Sequence, residues 1–184
     1  MILSASRRTD IPAHFAPWLM GRLREGFLCV RNPFNHAQQR RIELNPAKID
    51  CIVFWSKDPS PLLPYLDEID RLGYRYVFQF TLNPYGPELE PKLRPLEERL
   101  SAFLELSRSL GAARVLWRYD PIVLHEGLPM QEHFRRFAAL CDRLAKHTAF
   151  VTISFLDLYP RLRSPLLRAC TKGEMAELAA GFGE

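Results

Sequence analysis

The chain has 184 residues, 47% hydrophobic and 25% charged, the balance of a single globular domain that buries a core without metal or disulfide staples. Its longest clean apolar run is Cys51–Trp55, far short of the roughly 20 residues of a membrane helix, and its start, MILSASRRTD, fits neither a signal nor a transit peptide. The net charge of +4 is uneven, because residues 1–41 hold seven arginines against Asp10 and Glu25 while the remainder is nearly balanced. A GC-rich gene would raise arginine everywhere but would not cluster it, and the planar guanidinium suits phosphate or carboxylate partners. Cys29, Cys51, Cys141 and Cys170 lie far apart with no CxxC pair, which excludes a zinc ribbon and predicts a cytoplasmic protein with reduced thiols.

In chain order, Ile2–Ser4 predicts a first strand. SRRTDIP follows, then a helical pattern over Pro12–Arg24 with Phe15, Trp18, Leu19 and Leu23. Phe27–Arg31 and Arg40–Leu44 flank the turn-rich NPFNHAQQ and predict a hairpin. Cys51–Trp55 reads as a strand and Pro61–Leu72 as a helix; Tyr76–Leu82 and Leu96–Leu110 repeat the pair, as do Arg114–Tyr119 and Met130–Leu144. Phe150–Phe155 predicts a fifth strand of the main series, and Gly173–Ala180 a last helix. The short, continuously apolar runs suit strands covered on both faces. Strand and helix in alternation predict an α/β protein. A partial (β/α) TIM-like barrel, with sequential parallel strands and a small β-hairpin after the first helix, is the expected form, in one domain spanning residues 1–184. A doubly wound sheet is its rival.

Ligands of parallel β/α proteins bind at the carboxyl ends of the strands, so the polar residues there are the candidate site. The first strand delivers Ser6, Arg7, Arg8, Thr9 and Asp10. Two arginines and a hydroxyl ahead of a helix suit an anion, while Asp10 before Ile11-Pro12 is equally a good helix cap. The second β/α strand ends in Ser56, Lys57 and Asp58, the third carries Gln79, Thr81 and Asn83, the fourth Arg118 and Asp120, and the last Ser154 with Asp157 beyond. Arg118 and Asp120 alternate onto one face, where they pair with each other or meet a ligand. Lys57 reads as an anion ligand or an exposed loop residue. Gln79, mid-strand between two phenylalanines, needs partners if buried. The five histidines have no metal-ligand spacing, and no GxGxxG, Walker A or GxSxG motif occurs.

The segments SASRRTDIP, VRNPFN, DCIVFWSKDP, FQFTLNPYG, LEERLSAFLELS and RVLWRYDPI resemble a bacterial family of unknown function, family 1848, along nearly the whole chain. That family is similar to the radical S-adenosylmethionine (SAM) enzymes, which are mostly partial (β/α) barrels binding SAM across the strand ends. The resemblance implies SAM or an anionic, phosphate-bearing small molecule as ligand. It marks Ser6, Arg7, Arg8, Asp10, Asn32, Lys57, Gln79, Thr81, Arg118 and Ser154 as binding residues, and Asp120 and Asp157 as anchors or proton carriers. Longer relatives carry a C-terminal cysteine cluster similar to a [4Fe–4S] motif. The cysteines here do not reproduce its spacing, so the resemblance implies a truncated member that binds no iron–sulfur cluster by itself. A second reading is a phosphate-ligand or nucleic-acid binding module. For it, the N-terminal arginines and the aromatics Phe15, Trp18, Phe27 and Phe34 would meet a polyanion, unless those rings pack in the core.

Overall fold

The computed structural model describes residues 1–5, 9–32, 34, 35, 37–124 and 127–156. Ser6, Arg7, Arg8, Asp157, Cys170 and the helix expected over 173–180 lie outside them.

Five parallel strands form the main sheet: β1 (Ile2–Ala5), β4 (Cys51–Ser56), β5 (Tyr76–Thr81), β6 (Val115–Ile122) and β7 (Val151–Phe155). They are ordered as in the sequence, β1-β4-β5-β6-β7, without the reversal that defines a doubly wound sheet. Strands β2 (Phe27–Arg31) and β3 (Gln39–Glu43) pair antiparallel as a separate ribbon, as the hairpin pattern predicts.

The helix expected over Pro12–Arg24 is broken. It forms α1 (Ile11–His14) and α2 (Ala16–Glu25), parted at Phe15. Pro17 is the physical reason: it has no N–H for the carbonyl of Ala13, and its ring crowds that carbonyl. Gly26, at φ 75°, ends α2 with its N–H on the Arg22 carbonyl. Pro61 and Pro64 likewise turn the next helix into a 3₁₀ segment, Ser60–Tyr65, before α3 (Leu66–Arg71). Helices α4 (Leu96–Leu110) and α5 (Met130–Leu144) keep their expected bounds.

Burial alternates along β4 and β5. Ile52, Phe54, Tyr76, Phe78 and Phe80 are fully buried, whereas Val53, Trp55, Val77, Gln79 and Thr81 are half-buried. The first set packs with Leu19, Leu62, Ile69, Phe103, Leu106 and Leu140 in one continuous core. The described helices therefore pack on one face, as same-handed crossovers between sequential parallel strands require. The second face, which carries the polar residues, is covered less completely than the first.

Candidate functional site

Register decides which side chains meet on that second face. Trp55 stands beside Gln79 and Gln79 beside Leu116; one row further, Thr81 stands beside Arg118 and Arg118 beside Thr152. Trp55, Gln79 and Thr81 lie in the C-terminal halves of β4 and β5, whereas Leu116, Arg118 and Thr152 lie in the first halves of β6 and β7.

Arg118 is the centre of the row. Its guanidinium stacks over the Trp55 ring at 4.6 Å and donates to the Asp120 carboxylate through Nη2. The pair is about four-fifths buried, so it is shielded from water but still reachable. The other Asp120 oxygen accepts from the Ser154 hydroxyl on β7. The Asp120 backbone is clamped by Asn83, whose Oδ1 accepts from Asp120 N at 2.9 Å and whose Nδ2 donates to Asp120 O at 3.0 Å. The Asp120–Pro121 peptide is cis. Gln79 Oε1 is buried and makes no hydrogen bond among the described residues. A buried amide oxygen left without a donor costs stability unless something supplies one.

Gln79, Thr81, Arg118, Asp120 and Ser154 thus share one face. Asp10 is placed differently. Its carboxylate accepts from Ala13 N (3.0 Å), Ser56 Oγ (3.0 Å) and Lys57 N (2.8 Å), so it caps α1 and ties that helix to the end of β4. Lys57 forms an ion pair with Glu90, whose second oxygen lies 3.7 Å from Nη1 of the buried Arg99. Asn32 belongs to the ribbon, where its Nδ2 donates to Gln38 Oε1 at 2.9 Å.

The sequence places Lys57 and Asp58 at the rim but offers no signal for the charged partners they meet there. Arg94 grips Asp58 with two hydrogen bonds, of 2.6 and 2.7 Å, and the Ser60 hydroxyl adds a third at 2.7 Å. Burial alone would raise the Asp58 pKa, but these donors outweigh it and hold the carboxyl below its ordinary value. Burial pushes Arg99 the other way, below the usual guanidinium range. A cleft of about 580 Å³ opens beside this group, lined in part by Tyr85, Glu90, Arg94, Arg99 and Arg136. Their partners are scattered over the β5–α4 loop, the first turn of α4 and α5, at spacings that carry no pattern. Buried His133 has a structural role: its Nδ1 meets the Tyr119 hydroxyl at 2.8 Å and its Nε2 faces the Val123 carbonyl at 3.0 Å.

Comparison with family models now adds a family. The model described as a domain of unknown function, DUF1848, matches residues 2–184. The chain belongs to the DUF1848 family. No curated protein and no solved structure matches it. Among the described residues of this DUF1848 protein, no helix is long and apolar enough to cross a membrane.

Proposed function

We propose that the face carrying Trp55, Gln79, Thr81, Arg118, Asp120 and Ser154 is the ligand site of a partial (β/α) barrel similar to the radical-SAM enzymes, and that it takes SAM or an anionic small molecule. The observation that carries this reading is the convergence of polar groups from three strands and the Trp55 ring from a fourth on one half-buried face, with the Gln79 carbonyl lacking a donor among the described residues. Arg118 would receive a carboxylate or phosphate, already oriented by Trp55 and Asp120. Gln79 and Thr81 would receive hydroxyl or amino hydrogens. Bound SAM would supply a sulfonium-activated group for transfer or cleavage. Asp120 holds Arg118 in place and Ser154 holds Asp120.

An iron–sulfur cluster does not fit the described residues. Cys29, Cys51 and Cys141 stand on three separate elements, and among the described residues no group of three His, Cys, Asp or Glu could hold a metal ion.

Isothermal titration calorimetry with SAM, S-adenosylhomocysteine and inorganic phosphate tests the reading. Saturable binding of any of them, weakened about tenfold or more by Arg118→Gln and by Gln79→Leu, is the expected result. Absence of binding to all three, or binding that both variants retain, overturns it.

A further inference from the structure

The ribbon β2–β3 has no part in the sheet-face site, yet it is built unlike a packing element. Its inner face, with Leu28 and Ile42 opposite one another, rests on the core. Its exposed arginines stand on both faces, Arg31 and Arg41 on the outer one and Arg40, opposite Val30, on the side of Leu28 and Ile42, against a single carboxylate, Glu43. That carboxylate is taken by Lys48 at 2.8 Å, and the nearby Glu25 and Glu68 are held by Arg22 and Arg24. The Arg41 guanidinium carbon lies 3.9 Å from the centre of the Phe27 ring, a cation–π contact on an exposed side chain. Arg40 has no ion pair among the described residues.

Aromatic surface accompanies the charge. Phe34, in the turn, is 97% exposed, and Trp18, on α2 beside the ribbon, is 47% exposed. Trp18 borders an apolar groove of about 340 Å³, walled on the ribbon side by Leu28, Val30 and Arg31. Almost fully exposed, the Phe34 ring is open to a stacking ligand.

From this combination we infer that the β2–β3 ribbon binds single-stranded nucleic acid. Arg40 and Arg41 would contact phosphates, and Phe34 would stack on an unpaired base. Charge complementarity favours a polyanion over an apolar partner. The exposed ring at the turn favours unpaired bases over a duplex, whose bases are already stacked. The ribbon and the sheet face share no residue, so the two readings stand or fall separately.

Fluorescence anisotropy with a labelled oligothymidylate, a duplex of equal length and phosphatidylserine vesicles decides the matter. The single strand should bind more tightly than the duplex, with affinity falling steeply as salt rises. Arg40→Glu should weaken binding several-fold. The Arg40→Glu/Arg41→Glu double variant should lower the slope of log affinity against log salt by roughly 1.4, two phosphate contacts at about 0.7 each. Phe34→Ala should weaken binding about tenfold without changing that slope. Thermal melts confirm folding, and Arg40→Glu alone keeps the test valid if the double variant unfolds. No binding at low salt, equal binding by Arg40→Glu, an unaffected Phe34→Ala, preference for duplex, or binding to vesicles alone each overturns the proposal.

Discussion

The two faces of the main sheet are made from the same strands and differ by one residue of register. Facing the helices, Phe54, Phe78 and Phe80 sit among Tyr76, Phe103 and Trp117 with no exposure above 2%. Phe54 and Phe78 lie 5.1 Å apart and Phe80 and Phe103 5.0 Å, as close-packed ring pairs do. The opposite face offers Trp55, Gln79, Thr81, Arg118 and Asp120, half-buried and held by hydrogen bonds and one cation–π stack. Stability is concentrated on the first face and chemistry on the second, so substitutions on the two should separate cleanly.

Phe78→Ala should have the largest effect, a loss of about 3–5 kcal/mol in urea unfolding, because the ring leaves a cavity that rigid neighbours cannot fill. Val77→Ala, its neighbour on the open face, should cost about 1 kcal/mol or less. Equal losses would erase the distinction between the faces. Asp120→Ala strips the carboxylate from Arg118 and Ser154 and should cost about 1–3 kcal/mol, with Ser154→Ala costing less. Asp10→Ala removes an N-cap and two further hydrogen bonds, and about 2 kcal/mol is expected at neutral pH. Gln79→Leu should be neutral or stabilising by about 1 kcal/mol, since it removes an orphaned polar atom, while weakening ligand binding about tenfold or more. If it destabilised the protein, Gln79 would be a structural residue.

The rim gives a pH test of the same contrast. Asp58 has its folded pKa held below the ordinary 3.8, so its contribution is fully present above that pH and is lost as pH falls through the folded value. Asp58→Asn should therefore lower stability at pH 7 and flatten the acid limb of the stability curve below pH 4. An unchanged acid limb would mean that Arg94 and Ser60 do not grip the carboxylate in solution.

Much of this was legible before any coordinates. Strand positions followed from runs such as Cys51–Trp55 and Tyr76–Leu82, and α4 and α5 from their apolar spacing. Arg118 shares a face with Asp120 because strand periodicity is two, whatever the fold, while the β5–β6 register adds Gln79 and Thr81 to it. The breaks at Pro17, Pro61 and Pro64 were visible as residues but were overridden by the apolar period. The Lys57–Glu90, Arg99–Glu90 and Asp58–Arg94 pairs were not legible, since their members lie 33, 9 and 36 positions apart and no local rule links them.

The amino-acid sequence by itself determined the α/β class, the alternation of elements and the polarity of each strand end, because these depend on local periodicity and on residue chemistry. Only the tertiary structure decided that the five strands run in sequential order, that Asp10 spends its carboxylate on α1 and β4, and that Arg118 lies between Trp55 and Asp120. Strand order and side-chain pairing are set by contacts between distant segments, whose free energies exist only once the chain has closed around its core.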